Sequence, residues 1–182
     1  MPRDAFCSSC GTAFLAPLVY PRTCPGCRVT SWSNPTPVCV ALVPVKHREG
    51  LGLLVVRRGI PPGLGRLALT GGFLESHESW QQGAAREVRE ETGVVIDPAG
   101  LAPFWFTSTT PRPNQVLLFS LAAELDAASM PPFTPVEESQ ARGLVFGAEG
   151  LEESFAFGLH VEAVRRYFSS RGTPGPHRYL EA

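Results

Sequence analysis

The sequence predicts an α/β fold in which a layered main domain follows a small N-terminal unit. After residue 38, short aliphatic and β-branched runs are interspersed with two segments of helical spacing, a pattern typical of sheet and helix layers. Residues 1–33 instead carry two Cys-x-x-Cys pairs and several turn formers. SNPTP at 33–37 is typical of a linker, because its two prolines hold the backbone extended. We therefore divide the chain into domains at 1–33 and 34–182.

Composition and charge indicate a folded soluble protein. The 182 residues carry 16 Lys+Arg against 17 Asp+Glu, a net charge of -1, and 43% are hydrophobic. This balance argues against a broad footprint on duplex nucleic acid. No apolar run approaches the roughly 20 residues of a membrane span. The first ten residues, MPRDAFCSSC, lack a charged-then-apolar signal, which favours a cytoplasmic location and no membrane partner.

The N-terminal cysteines predict a structural zinc ribbon. Cys7 and Cys10 form one pair and Cys24 and Cys27 the other, and paired thiolates on tight turns supply the four sulfur ligands that zinc prefers. A redox dithiol and two disulfides are the alternatives. Neither pair opens a helical pattern, and the total of five cysteines is odd. Four thiolates leave no open position for catalysis, and the fifth cysteine, Cys39, is expected to be a small core residue.

The main domain begins with two strands and a loop. VCVALVPV at 38–45 and GLLVVRR at 52–58 are apolar runs that predict neighbouring strands. GIPPGLGRLAL at 59–69 predicts a Gly/Pro loop that leads into a short strand. The remaining predicted elements are strands at 94–96, 102–108, 115–124 and 142–147, a turn at 110–114, an irregular loop at 127–138 and a helix at 159–170.

Capping signals place the first helix at residues 80–92. Ser79 and Gln82 have the spacing of a capping box, with Ser79 as the N-cap. Gly93 is suited to the position just past the helix end. We therefore expect the acidic run near residue 90 to lie in the last turns of this helix.

Three carboxylates crowd one face of that helix. Glu87, Glu90 and Glu91 are spaced i, i+3 and i+4, so they repel one another, and the helix dipole disfavours anions at this end. Hard oxygen ligands in a cluster are what Mg²⁺ or Mn²⁺ requires. A solvated face with Arg86 and Arg89 as counter-charges is the alternative, and composition alone leaves the two interpretations equal.

The wider spacing around the helix resembles a known family. Gly72, five residues, Glu78, seven residues and then REVREETGV at 86–94 are similar to the Nudix box at every defined position. The resemblance implies a Nudix hydrolase with an α/β/α sandwich. It also implies a magnesium (or manganese) site, helix-orienting polar residues and a structural ribbon before the domain. The metal-binding positions it implies are Glu87, Glu90, Glu91 and the carbonyl of Gly71, and the orienting positions are Arg86 and Glu78.

Several residues are candidates for the group that accepts the proton of the attacking water. Within the helix, Glu91 and Glu87 are the best candidates, although in this family the base often lies in a later loop. Glu138 is the best placed such residue, with Glu137 and Glu124 behind it. For each of these three, an acidic surface loop is an equally good interpretation.

The resemblance narrows the substrate without naming it. YPRTCPGC followed by NPTPV is similar to the junction in the NADH-pyrophosphatase and FAD/ADP-ribose-pyrophosphatase-like branches, and FAFGLH is similar to the latter. The SQPWPFPxS signature of NADH enzymes is replaced here by WFTSTTPRPNQ. We expect cleavage of the pyrophosphate in a nucleoside diphosphate linked to another moiety, such as ADP-ribose, FAD or an NADH-like compound. The alternatives are a nucleoside triphosphate pyrophosphohydrolase, a non-catalytic nucleotide-binding regulator and an enzyme for capped RNA ends; a homodimer is also compatible with the family.

Two residues are candidates for substrate binding. Arg58 stands at a strand end, where it can reach phosphates, and Phe106 lies in an aromatic strand, where one ring can stack on a base. A surface arginine and a core aromatic are the respective alternatives. Pro111 lies near the position of a proline in ADP-ribose enzymes, at an inexact offset.

Overall fold

A computed structural model describes residues 4–110, 114–173 and 175–182. The chain divides into two compact units, and the boundary falls between Pro35 and Thr36. The first unit contains an antiparallel pair, β1 (Arg22–Thr23) and β2 (Thr30–Ser31), on either side of the second cysteine pair. Most of the predicted turn at 110–114, including Pro111, lies outside the described residues. None of the described helices is long and apolar enough to cross a bilayer.

The second unit contains ten strands and two α-helices among its described residues. In chain order these are β3 (Thr36–Leu42), β4 (Pro44–His47), β5 (Gly50–Arg58), β6 (Leu67–Ala68), β7 (Thr70–Phe73), α1 (Trp80–Thr92), β8 (Ala102–Ser108), β9 (Gln115–Leu121), β10 (Leu125–Asp126), β11 (Ser139–Phe146), α2 (Gly158–Ser170) and β12 (Arg178–Glu181).

Two sheets share the core of this unit. One has the strand order β7-β3-β9-β8, with β3 and β9 parallel and the other neighbours antiparallel. The other has the order β10-β4-β5-β11-β12, and β6 pairs with β5 outside that path. Here only β10 and β4 are parallel among the described pairs. The predicted α/β fold class is confirmed.

Alternate residues of the central strands pack on opposite faces. Val40 and Leu42 of β3 join a core cluster that contains the apolar face of α2, whereas Cys39 and Ala41 join a second cluster with α1. This period of two is that of an extended strand. Because both faces are covered, the strand contains a continuous apolar run. Cys39 is fully buried, as predicted.

The limits of α1 agree with the predicted helix. The Ser79 hydroxyl accepts a hydrogen bond from the Gln82 backbone N–H (3.3 Å), and the Gln82 side-chain oxygen accepts one from the Ser79 N–H (2.8 Å). Gly93 adopts the left-handed conformation with φ of 75°. A glycine relieves the steric cost of that conformation, which explains why the helix ends here.

The predicted strand at 94–96 is wrong. These residues have no strand partner; Val94 and Ile96 turn into the core beside α1 while Val95 is 75% exposed. The alternation of buried and exposed side chains that suggested a strand therefore belongs to a loop. The first predicted strand is also corrected, since Val43 interrupts it and only the β4 part pairs with β5. Both errors concern pairing, which depends on distant parts of the chain.

Candidate active site and cysteine cluster

A cavity of about 780 Å³ opens in the second unit between α1, the first turn of α2 and the strands β3, β5, β7 and β9. Its lining combines two kinds of residue. Carboxylates come from α1, from the loop before it and from the residue before β11, and apolar residues come from the loop after β5, from β9 and from the start of α2. The acidic residues are Glu75, Glu87, Glu91 and Glu138, and the apolar ones include Ile60, Pro61, Leu117, Phe157 and Leu159.

Two consecutive glycines allow α1 to lie close to β7. A side-chain carbon on Gly72 would overlap the carboxylate of Glu87, and one on Gly71 would overlap the backbone of β3 at Cys39. The Gly71 N–H donates a hydrogen bond to Glu91 Oε2 over 3.2 Å. The glycine pair therefore lets two glutamates of α1 reach the floor of the cavity.

Arg86 is the centre of an ion-pair network on the helix. Its Nε and Nη2 donate to the two carboxylate oxygens of Glu78 (3.1 and 2.8 Å), and Nη2 also reaches the Phe73 carbonyl (3.1 Å). Its Nη1 donates to Glu87 (2.7 Å) and to Glu90 (3.1 Å). The hydrogen bonds from Arg86 lower the pKa of Glu78. The network ties the loop before α1 to the helix, and fixes the direction of Glu87.

Burial separates the three glutamates of the acidic cluster. Glu87 is 9% exposed and Glu91 5%, whereas the Glu90 side chain is 50% exposed and is absent from the described lining of the cavity. Burial, followed by the charge of Glu87, raises the pKa of Glu91 to about 8. Burial also raises the pKa of Glu87, against the opposing effect of Arg86. Nearby positive charge therefore does not fully neutralise the buried carboxylates of Glu87 and Glu91.

This donor set suits a divalent cation. Glu91 is held by a single hydrogen bond from the Gly71 N–H among the described residues, and carboxylate oxygens in such a position favour a hard cation. A bound cation favours the charged form of nearby carboxylates, which opposes the effect of burial. Gly71, Glu87 and Glu91 line the same cavity, and Glu138 lies close enough for its charge to raise the pKa of both glutamates.

Of the later acidic residues, the structure places one in the cavity. Glu138 lines it. Glu124 is instead held at the surface by Lys46 (3.4 Å) and Arg171 (2.8 Å). Glu137 is exposed and does not belong to the described lining. Glu138 is therefore the one member of this predicted group that faces the buried carboxylates.

The two candidate substrate-binding residues lie in different places. Arg58 lines the cavity; its Nε donates to the Pro62 carbonyl (2.8 Å), and its guanidinium lies 4.9 Å from the ring centre of Phe157. Phe106 is 75% exposed on β8, an edge strand, and borders a separate hollow of about 190 Å³. Phe106 therefore lies outside the described lining of the cavity, and β9 and β3 separate β8 from the strand of the glycine pair.

Sequence reasoning missed His160 and Phe157. His160 is 6% exposed, lines the cavity and accepts a hydrogen bond at Nδ1 from the Leu69 N–H (3.1 Å). Burial, with a smaller effect of the Arg58 charge, lowers its pKa to about 3, so the ring is neutral. The FAFGLH segment was the available signal, but a single aromatic or histidine at a helix start has no periodicity to mark it.

The four N-terminal cysteines form a compact cluster. Within the described part of the chain they are the only group of three or more potential metal-binding side chains whose ligand atoms all lie within 4.8 Å. Cys7 and Cys27 Sγ are 3.7 Å apart and Cys10 and Cys24 Sγ 3.6 Å apart, too far for disulfides of about 2.05 Å. A tetrahedron with metal–sulfur bonds of about 2.3 Å has edges of about 3.8 Å. The cluster therefore fits zinc.

Turns and hydrogen bonds assemble this cluster locally. The N–H of Gly11 donates to the Cys7 carbonyl (2.9 Å), and the N–H of Arg28 donates to the Cys24 carbonyl (3.0 Å). The Thr12 hydroxyl and backbone lower the pKa of Cys10 to about 6. A lowered pKa favours the thiolate, which is the form that binds metals.

Residues 35–158 match the family model of the NUDIX domain. This chain belongs to the Nudix family. The predicted family is confirmed. The chain is 37% identical over 95 residues to the NAD-capped RNA hydrolase NudC of Stutzerimonas stutzeri (strain A1501). That match covers 51% of this chain and 32% of the relative, so the chain spans about a third of the relative's length.

Solved structures share the fold. A NUDIX hydrolase from Nitrosomonas europaea aligns with a TM-score of 0.65 at 22% identity, over 93% of this chain and 94% of that one. The NUDIX domain of Shewanella oneidensis NrtR, crystallised with ADP ribose, aligns with a TM-score of 0.62 at 19% identity, over 77% of this chain and 90% of that one. At these identities the likeness describes the fold of the Nudix unit.

Proposed function

We propose that this Nudix hydrolase cleaves the pyrophosphate bond of a nucleoside diphosphate linked to a second moiety, such as ADP-ribose, FAD or an NADH-like dinucleotide. The observation that carries the proposal is a cavity lined by both buried carboxylates and apolar residues. The carboxylates suit a cation-bound diphosphate, and the apolar residues, with the Arg58–Phe157 pair, suit an attached organic group. A volume of about 780 Å³ lies in the range of roughly 300–1,000 Å³ that is typical of small-molecule sites.

The cation in this proposal is Mg²⁺ or Mn²⁺, held by Glu87, Glu90, Glu91 and the carbonyl of Gly71. Its chemistry would be to neutralise the diphosphate and to polarise a phosphorus–oxygen bond. Glu90 is exposed and paired with Arg86, so its participation requires a change of rotamer away from that pairing. Glu87 and Glu91 are already in place beside the glycine pair.

The chain's own residues would orient the substrate and remove a proton. Arg58 lines the cavity, and we propose that its guanidinium binds phosphate oxygens of the substrate. Glu138 and Glu91 both line the cavity, and we propose that one of them accepts the proton of the attacking water. Arg86 and Glu78 hold α1 against the preceding loop, and thereby keep Glu87 oriented. We also propose a structural zinc ion in the cysteine cluster.

Two similar proteins support the proposed class of substrate. NAD, named for the NudC relative, and ADP ribose, named for the NrtR complex, both contain a diphosphate between two organic groups. The NudC match also favours a second candidate function, hydrolysis of NAD-capped RNA. This chain lacks a large basic excess, so contact with RNA would be confined to the capped end.

A substrate panel with product identification tests the proposal. We expect Mg²⁺ or Mn²⁺ to support hydrolysis of ADP-ribose, FAD or NADH to two monophosphate products, with little activity when divalent ions are omitted. Release of inorganic pyrophosphate from nucleoside triphosphates as the main reaction would instead identify the triphosphate alternative. An NAD-capped oligonucleotide cleaved more efficiently than free NAD would favour the RNA function. Absence of hydrolysis across the panel would reject the enzymatic proposal in favour of a binding module.

A further inference from the structure

His160 is a buried polar residue that lines the cavity and lies far along the chain from the predicted metal-binding positions. It lies in the first turn of α2 and is 6% exposed, while Phe157 and Leu159 line the cavity beside it. A polar side chain in such surroundings requires a hydrogen-bond partner for each of its ring nitrogens. The two nitrogens of His160 have different environments.

The hydrogen bond from Leu69 fixes the tautomer. Nδ1 accepts the Leu69 N–H over 3.1 Å, so Nδ1 carries no proton. A neutral imidazole has one protonated nitrogen, which must then be Nε2. Burial keeps the ring neutral by lowering its pKa to about 3. His160 therefore offers one hydrogen-bond donor, at Nε2.

Two aromatic rings hold the imidazole in place. Phe119 meets it edge to face, with ring centres 5.9 Å apart and planes at 84°, and Phe157 lies 5.0 Å away with planes at 58°. The Arg58 guanidinium in turn lies over the ring of Phe157. The Nε2–H donor is thus oriented before a ligand arrives, which reduces the entropy lost on binding.

The Nε2–H has no hydrogen-bond partner within residues 4–110, 114–173 and 175–182. Nε2 is not among the fully buried side-chain atoms that lack a partner in this part of the chain, so it is accessible from the cavity. Because the ring belongs to the cavity lining, an acceptor on a bound molecule can take the place of water at this atom. The rings packed on His160 are apolar and its donor is uncharged, so a neutral acceptor such as a hydroxyl suits it.

The segment that contains the glycine pair links His160 to the carboxylates. Leu69 N–H binds His160, and Gly71 N–H binds Glu91. Both side chains therefore contact one short stretch of backbone, and both line the cavity. In the proposed class of substrate a sugar adjoins the diphosphate, so a sugar hydroxyl is an acceptor close to a diphosphate bound near Glu91.

We propose that His160 is a specificity-determining residue whose Nε2–H donates to a ribose hydroxyl of the group joined to the diphosphate. The inference rests on the proposed function and deepens it. It predicts that the enzyme distinguishes substrates by one sugar hydroxyl at a position several ångströms from the bond that is cleaved.

Two substitutions of similar shape test the roles of Nδ1 and Nε2 separately. The amide group of His160→Asn occupies the place of Nδ1, so its oxygen can still accept the Leu69 N–H while the Nε2 donor is lost. The amide of His160→Gln reaches the place of Nε2 and keeps a donor there, but the Leu69 N–H loses its partner. A purely structural role predicts harm from both substitutions on all substrates alike.

The test uses ADP-ribose and a set of analogues that each lack one ribose hydroxyl, assayed with Mg²⁺. For the wild-type enzyme we expect one analogue to show a kcat/KM about tenfold lower than ADP-ribose, the effect of one neutral hydrogen bond. In His160→Asn this discrimination should disappear, because ADP-ribose falls to the level of the analogue. In His160→Gln discrimination should persist. Equal discrimination in the wild type and His160→Asn, or none in the wild type, overturns the inference while leaving the proposed function intact.

A spectroscopic measurement judges the inference independently of turnover. The chain has four histidines, so the Nε2 resonance of His160 is assignable by its absence in His160→Asn. Addition of ADP-ribose should shift this resonance, and the analogue lacking the accepting hydroxyl should shift it far less. No shift with any of these compounds overturns the inference. If no diphosphate is hydrolysed but the shift occurs, the proposed function fails and the His160 contact stands.

Discussion

Two groups of candidate metal-binding side chains differ in how they are assembled. The cysteine cluster comes from two tight turns, and its four sulfurs all lie within 4.8 Å of one another. The carboxylate site requires a helix, a glycine pair and an arginine network before Glu87 and Glu91 face the same cavity. The sulfur ligands are close to a complete tetrahedron, whereas the carboxylates leave a wide space beside them.

This difference fits the two proposed uses of metal. Four thiolates would complete the shell of a zinc ion and leave no position for a substrate, so the proposed site would stabilise a small unit with little core. Carboxylates that line a cavity leave positions for phosphate oxygens and water. Keeping the cavity open beside buried carboxylates has an electrostatic cost. Burial and the charge of Glu87 raise the pKa of Glu91 to about 8, because nearby positive charge does not fully neutralise the pair.

The largest effect is expected for a cysteine of the cluster. Cys24→Ser should reduce bound zinc from about one equivalent to almost none, since structural zinc contributes roughly 10–16 kcal/mol that depends on the full ligand set. Zinc content by atomic absorption measures this directly. Cys39→Ala is the matched control, because Cys39 is buried in the second unit, and it should retain zinc. Zinc retained by Cys24→Ser would show that the cluster is not a four-thiolate site.

Glu91→Gln should inactivate the carboxylate site and preserve the fold. The amide oxygen can still accept the Gly71 N–H, so we expect a similar melting temperature. Loss of the negative charge should lower kcat by about 10²–10⁴-fold. Glu162→Gln removes the same charge from an exposed i,i+4 pair on α2 and should leave kcat unchanged. Near-normal activity of Glu91→Gln would contradict the role proposed for the buried carboxylate.

Gly72→Ala tests whether close approach of the backbone positions Glu87. The new methyl group would overlap the Glu87 carboxylate, which must move. A displacement of about 1 Å near a reacting group can cost up to 10²-fold, so we expect a decrease of roughly 10- to 100-fold in kcat/KM and weaker apparent Mg²⁺ binding. Gly100→Ala adds its methyl group where no heavy atom lies within 4 Å and serves as the control. If both variants match the wild type, the glycine is not required for this reason.

Local signals explain what was predictable from the chain. The capping box and Gly93 define α1 because their hydrogen bonds join residues no more than four apart. The four cysteines are recognisable because each pair lies on one turn. The spacing of Glu87 and Glu91 on one helix face is likewise local. Strand pairing was harder, as the segment at 94–96 demonstrates, because alternation of burial also occurs in a loop.

The sequence by itself determined α1 with its caps and the family's glycine–glutamate spacing, and it predicted both groups of candidate metal ligands. Only the tertiary structure decided that β3 pairs with β9, that Glu91 is buried while Glu90 is exposed, and that Glu138 rather than Glu124 faces the cavity. It also brought His160 to Leu69, 91 residues earlier in the chain. Burial and pairing depend on which distant segments pack together, and no local pattern of residue types encodes that choice.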